Sequence, residues 1–217
     1  MDTVKSLAAE EAVTRSGNPR KPQGEDGEKM LQRMNESHAG VTGWALEFLH
    51  LEKDSHVLDI GCGGGATLGR MSEQIRTGHL TGIDYSAVSV QVSKDWNAED
   101  IRSGKMDILE GSVEKLPFAD GSFDRIITVE SFYFWPDPQE NLREVLRVLK
   151  KNGIFLLVAD IYQKDDLGEK AKENIRRYRM FNPTKEEFEE LFLQAGFASV
   201  EIHTKEGEDW LCIAGRP

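Results

Sequence analysis

The stretch Val57-Leu58-Asp59-Ile60-Gly61-Cys62-Gly63-Gly64-Gly65 constrains this 217-residue chain more than any other. His56–Ile60 is β-rich and bounded by turn chemistry, which predicts a buried strand. The glycines that follow let the backbone turn tightly and approach a ligand where a Cβ would collide. Helical spacing resumes at Ala66-Thr67-Leu68-Gly69-Arg70-Met71, so the turn opens a helix whose N–H groups point back at the loop. Strand, glycine turn and helix N-terminus together make a nucleotide-binding unit of the doubly wound type.

Two classes of nucleotide ligand compete for such a unit. Gly61-x-Gly63-x-x-Ala66 fits the dinucleotide fingerprint, and Asp84 lies 21 residues beyond Gly63, near the usual offset of a ribose-binding acid. A nicotinamide-dependent oxidoreductase is therefore one reading. Against it, Asp59 stands two residues before the first glycine, where a diphosphate gains nothing from a carboxylate and an ammonium group does. The chain also has no Tyr-x-x-x-Lys: Tyr85, Tyr133, Tyr162 and Tyr178 are followed four residues on by Ser89, Asp137, Asp166 and Asn182. Little chain is left for a separate substrate domain.

With Asp59, the glycine loop and Asp84 in place, residues 57–65 resemble motif I of class I S-adenosylmethionine-dependent methyltransferases. Leu80-Thr81-Gly82-Ile83-Asp84-Tyr85-Ser86 resembles their second motif, and Gly111-Ser112-Val113-Glu114-Lys115-Leu116-Pro117-Phe118 the loop that frames the adenine. Phe123–Val129 resembles the fourth strand, and Leu146–Phe155 the joint leading to the fifth. The likeness is strongest over 55–160 and closest to the small-molecule branch that includes ubiquinone/menaquinone C-methyltransferases. It implies S-adenosyl-L-methionine as cofactor, S-adenosyl-L-homocysteine as product and a small-molecule methyl acceptor. Asp84 is then expected to accept hydrogen bonds from the ribose hydroxyls, and Tyr85 to lie against the adenine. Ser112 and Val113 should meet the adenine edge, although related enzymes often carry Asp at one of these positions. Gly61 and Gly63 allow the methionine moiety close approach, with Asp59 near its ammonium. A non-catalytic cofactor-binding module carries the same motifs and stays a third reading.

The acceptor side is less marked. Glu130-Ser131-Phe132-Tyr133-Phe134-Trp135-Pro136 ends the fourth strand at the ligand edge, in place of the Asn/Asp-Pro-Pro-Tyr string of amine-methylating nucleic-acid enzymes. Glu130 is a surface acid there, or it faces the sulfonium or the acceptor. The aromatic run divides between pocket lining and core. Of five histidines, His56 and His79 begin strands, at the wrong edge; His50 ends a helix and His203 sits in a late strand. His38 alone, in the helices before the first strand, could reach the methyl group; otherwise it is an ordinary helix-face histidine. Carbon, oxygen, nitrogen and sulfur acceptors are all compatible with these motifs.

Bulk composition narrows the partners. Lys and Arg total 27 against 38 Asp and Glu, a net charge of −11, which repels phosphate backbones and argues against DNA or RNA. The one basic cluster, Arg176-Arg177-Tyr178-Arg179, is diluted by Glu169 and Glu173. No apolar run approaches the roughly 20 residues of a membrane span, and the N-terminus lacks a signal-peptide core, so a cytoplasmic protein is expected. Cys62 and Cys212 lack the spacing of a disulfide framework or a zinc site, and no metal is expected.

The expected organisation is a mobile, turn-rich segment over 1–27 followed by one α/β domain over 28–217. Within that domain, 28–51 forms a helical cap and the charged segment 165–180 a candidate lid. Strands are expected near 56–60, 79–84, 106–110, 124–129, 154–160, 198–204 and 209–214. Helices are expected near 65–76, 86–102, 138–150 and from Thr184 to Gly196. Such a series predicts a Rossmann-like, doubly wound, mostly parallel sheet with an antiparallel last strand and helices on both faces. Ligands of such sheets bind at the carboxyl ends of the strands.

Overall fold

The computed structural model describes residues 2–217, with side chains from Glu10 onward. Helices α1 (Asp2–Gly17), α2 (Gly24–Ser37) and α3 (Ala39–Ala45) precede the sheet. Strands β1 (His56–Ile60), β2 (His79–Asp84), β3 (Met106–Glu110), β4 (Phe123–Val129) and β5 (Leu149–Ala159) then alternate with α4 (Ala66–Ser72), α5 (Ala87–Trp96), α6 (Ala98–Arg102) and α7 (Pro138–Val148). Helices α8 (Glu169–Tyr178) and α9 (Lys185–Ala195) and strands β6 (Ser199–Thr204) and β7 (Leu211–Arg216) complete the chain.

Local chemistry fixes several of these boundaries. The Asp137 carboxylate accepts the Glu140 N–H at 3.2 Å and Pro138 occupies the first turn, so α7 starts there. Thr184 and Glu187 form a reciprocal capping box at the start of α9, and Gly196, at φ 110°, ends it. The helix expected over 86–102 breaks at Asn97, because the Asn97 amide turns back to the Ser93 and Gly65 carbonyls, both at 3.0 Å. That break ties α5 to the end of the glycine loop.

The seven strands lie in the order β3-β2-β1-β4-β5-β7-β6. All neighbours pair parallel except β7, which runs antiparallel to both β5 and β6. The mixed, doubly wound sheet expected from the sequence is therefore present, with β7 as its single reversed strand. Strand β1 is central: Ile60 is level with Ile83, and Leu58 with Ile126. The carboxyl ends of β1, β2 and β4 thus emerge side by side where the strand order reverses, the position at which open α/β sheets make a crevice.

Two differences from expectation concern the ends. Strand β5 begins at Leu149, earlier than 154, and absorbs Lys150-Lys151-Asn152-Gly153 through an irregularity opposite Phe123–Arg125. The segment 1–27, expected as mobile and turn-rich, forms α1 and the first turn of α2 over its described residues; Met1 lies outside them. Ala8, Ala9, Glu10, Glu11 and Ala12 are strong helix formers, and their summed preference outweighs the polarity that hid the helix. Arg33 of α2 clasps α1 through the Glu10 carbonyl at 3.1 Å and the Thr14 hydroxyl.

One face of the sheet buries Leu58, Ile126, Phe155 and Leu157 under α7 and α9, and the other buries Val57, Leu80, Ile127 and Leu156 under α3, α4 and α5. Phe155 is fully buried and stacks on Phe192 at 5.5 Å between ring centres. Phe155→Ala is expected to cost about 3–5 kcal/mol of stability, the range for truncating a buried aromatic. Chemical denaturation checks this, and a loss under about 1 kcal/mol would show that the site refills.

Candidate functional site

A cavity of about 330 Å³ opens at the carboxyl ends of β1, β2 and β4. Its floor is Asp59, the glycine loop and Asp84; its walls include Tyr85, Ser112, Val113, Glu130 and Phe134; α2 supplies Leu31, Met34 and Asn35, and the α2–α3 junction His38. Every residue singled out in the sequence as a candidate site residue therefore borders one cavity.

The glycine loop is held by the acid of β2. Asp84 Oδ2 accepts the Gly63 N–H at 3.0 Å and Oδ1 accepts the Ser86 N–H at 2.9 Å. Burial raises the Asp84 pKa, while the Ser86 and Gly63 amides pull it back. Asp84 is almost fully buried and braces the loop itself. Gly61 is the tightest point of the loop. Its φ is +73°, and a Cβ there would overlap the Ser131 hydroxyl, which reaches for the Ile60 carbonyl at 3.2 Å. Gly63 also has positive φ, +51°, but an added Cβ would meet only Leu31 Cδ2 at 3.6 Å, so there the dihedral is the constraint.

Asp59 is buried to 1 % exposure, and its Oδ2 has no hydrogen-bond partner. Burial, with the nearby Asp84 charge, pushes its pKa up to about 8. An orphaned buried carboxylate in a ligand-sized cavity is a site built for a positive group: a ligand ammonium would restore its charge and fill its empty acceptor. A diphosphate would meet two acids instead.

The N-terminal segment roofs the second acid. The Tyr85 hydroxyl donates to the Arg20 carbonyl, Ser86 Oγ donates to the Pro22 carbonyl at 2.6 Å, and Lys21 sits over the Tyr85 ring at 5.2 Å. Ser112 Oγ turns to the Glu114 carboxylate at 3.0 Å, and Val113 is buried in the core beneath the cavity. Beyond β4, Phe132 packs at 5.5 Å from Phe188, and Trp135 stacks on Phe155, so most of the aromatic run is core; Phe134 and the edge of Trp135 reach the cavity.

Three residues were not legible as site residues. Asn35 donates to the Gly64 carbonyl at 3.0 Å and pins the glycine loop from above. Its signal was a polar residue in the apolar stripe Leu31-Met34-Asn35-His38, at helical spacing. Ser131 locks Gly61, and Asp160, after β5, gives its backbone N–H to Glu130 Oε1 at 2.6 Å. The other histidines stay away: His79 pairs with Asp107 at 3.0 Å, and His203 stacks on Phe48 at 4.0 Å. Helix α8, in the candidate lid, buries none of its residues. Cys62 and Cys212 are buried free thiols.

The comparisons agree with this geometry. The family described as a methyltransferase domain matches residues 58–157. The 2-methyl-6-phytyl-1,4-hydroquinone methyltransferase of Arabidopsis thaliana is 33% identical over 149 residues, covering 69% of this chain and 42% of that protein. The demethylmenaquinone methyltransferase of Lactococcus lactis is 28% identical over 174 residues, covering 70% and 69%. The chain spans about two-fifths of the length of the plant relatives it matches. Among solved structures, a SAM-dependent methyltransferase from Aquifex aeolicus superposes with a TM-score of 0.68 at 17% identity, covering 87% of this chain and 97% of that one. Phosphoethanolamine N-methyltransferase 2 of Haemonchus contortus, solved with S-adenosylhomocysteine, gives 0.75 at 14% identity, covering 88% and 57%. Residues 58–157 thus match a methyltransferase domain, and the chain shares the fold of solved SAM-dependent methyltransferases. No helix among the described residues is long and apolar enough to cross a membrane.

The buried Asp59 gives a stability test. Its folded pKa lies near 8, above the unfolded value of about 4, so between those values the folded protein holds a proton that the unfolded chain lacks. Stability contributed by this group is full below pH 4 and lost as pH rises toward 8. Asp59→Asn escapes that loss, so its melting temperature should exceed the parent's by a margin that widens from pH 4 to 8. A margin independent of pH would show that Asp59 titrates normally.

Proposed function

We propose that this protein transfers the methyl group of S-adenosylmethionine to a small-molecule acceptor. The observation that carries the reading is the unpartnered Asp59 carboxylate beneath the glycine loop, in one cavity with Asp84. A ligand that is cationic at one end and carries a ribose diol at the other satisfies both. The residues divide accordingly. Asp59 receives the ammonium of the methionine moiety, Gly61 and Gly63 let that moiety approach the backbone, and Asp84 takes the ribose hydroxyls. Tyr85, Ser112 and Val113 frame the adenine, with the Arg20–Pro22 segment closing over Tyr85.

The bound cofactor supplies an electrophilic methyl group on a sulfonium that is already a good leaving group. The chain's part is alignment and exclusion of water. Glu130, His38 and Phe134 border the same cavity, and we assign the acceptor to that side. Its walls of Met34, Phe134 and Trp135 fit an apolar ring, and two named relatives act on hydroquinone- and menaquinone-type substrates, which supports a small aromatic acceptor. The net charge of −11 supports a small molecule over a nucleic acid.

Calorimetric titration with S-adenosylhomocysteine tests the cofactor half, and transfer of a labelled methyl group to a panel of quinols and phenols tests the acceptor half. Asp84→Ala is expected to weaken cofactor binding by roughly 2 kcal/mol or more, since charge-assisted hydrogen bonds contribute about 1.5–3 kcal/mol. It should also lower the melting temperature, because the Gly63 and Ser86 amides lose their acceptor. A folded Asp84→Ala protein with unchanged affinity would remove the acid from the site. Tight NADH binding with no response to S-adenosylhomocysteine would overturn the reading entirely.

A further inference from the structure

On the acceptor side of the cavity, one donor atom each from His38, Glu130 and Asp160 lie within 4.8 Å of one another. They come from three separate places in the chain: the junction of α2 and α3, the end of β4 and the end of β5. Glu130 is held in the left-handed region at φ 55°, a strained conformation for a non-glycine residue. That backbone turn aims its carboxyl at the end of β5, where Oε1 accepts the Asp160 N–H at 2.6 Å. The Tyr133 hydroxyl donates to Glu130 at 3.2 Å and itself accepts the Ile161 N–H at 3.2 Å, so the acid is fixed from two sides. Asp160 Oδ1 is buried with no partner. His38 and Glu130 line the cavity.

We propose that His38 is the general base for a neutral acceptor bearing a phenol-type hydroxyl, with Asp160 and Glu130 as positioning residues that orient the imidazole. The inference rests on the methyltransferase reading above and gives that reading its acceptor class. A divalent cation is the competing occupant of a His–Glu–Asp cluster. Here both Glu130 oxygens already face donors, the Asp160 N–H and the Tyr133 hydroxyl, which favours a proton path over a metal.

The charges facing His38 agree. Burial lowers its pKa, the Asp160 carboxylate raises it, and Arg33 on α2 lowers it again. Burial drives the Glu130 pKa well above its usual value, and the Asp160 charge adds to this. Tyr133, raised by burial and by Glu130, stays neutral. The net shift of His38 is downward, so the imidazole is free to accept a proton at neutral pH, whereas a phenol, at a pKa of about 10, is nearly all protonated there. In the step, the imidazole takes the hydroxyl proton and the pair left on oxygen forms the bond to the methyl carbon. The carbon–sulfur bond breaks with its pair staying on sulfur, and the imidazolium then gives its proton to water.

The test uses the full-length protein and begins without activity. Nuclear magnetic resonance titration of the His38 imidazole is expected to show its pKa falling in Asp160→Asn and largely restored in Asp160→Glu. With a phenolic acceptor, the acid limb of kcat/KM should follow the same shift. His38→Asn should lose roughly 10²- to 10⁴-fold in kcat while S-adenosylhomocysteine affinity stays within about twofold. An imidazole titration indifferent to Asp160, or micromolar Zn²⁺ or Mn²⁺ that perturbs the His38 resonance and is needed for turnover, would overturn the relay. Failure of the wild-type protein to bind S-adenosylhomocysteine would instead sink the methyltransferase reading and leave the imidazole titration to judge the relay alone.

Discussion

Two carboxylates buried at one edge of the sheet set the terms for everything around them. Asp59 and Asp84 end neighbouring parallel strands, and each raises the cost of ionising the other or its surroundings. The fold answers the two acids differently. Asp84 is given backbone amides from Gly63 and Ser86, so its charge is used to brace the glycine loop. Asp59 is left with an empty oxygen and a pKa near 8. A local conflict kept in an otherwise consistent core is the kind of defect that a ligand resolves. On the proposed reading, one cofactor ammonium neutralises it.

The strands were legible because most are short runs closed by turn residues, and β1, β2 and β3 have the bounds that those turns set. The N-terminal helix was not. Its polarity suits an exposed helix as well as a loop, and its helix-forming residues and its packing on α2 through Arg33 decide the matter together. The break at Asn97 was equally hidden, since nothing local says that an amide will turn back to Gly65, 32 residues away. Asp59, the glycine loop and Asp84 could be found because strand, turn and second acid follow one another at fixed spacing.

Asp160 could not be found that way. It acquires meaning only when β4 and β5 pair with Val129 level with Val158, which brings the residue after each strand together. The positive φ of Glu130 then points its carboxyl across that junction, and no sequence pattern marks a glutamate for the left-handed region. Contacts made by sheet register between residues 30 apart are tertiary facts, and a periodicity scan sees only local ones.

The cavity therefore has two halves of different origin. The half around Asp59 and Asp84 is built from one contiguous strand–loop–helix unit and its neighbour, and its shape follows from backbone geometry. The half around His38, Glu130 and Asp160 is assembled from three distant segments, and its chemistry lies in side chains. Helix α2 spans both: Asn35 pins the Gly64 carbonyl, while His38, three residues on, stands at the acceptor side. One rigid turn of helix thus couples the position of the glycine loop to that of the imidazole. A displacement of α2 would loosen Asn35 and carry His38 away together, so on the proposed reading cofactor seating and proton removal depend on the same docking surface. Arg33, on the outer face of that helix, anchors it to α1, which gives the polar N-terminal segment a structural part in the site without a side chain in the chemistry.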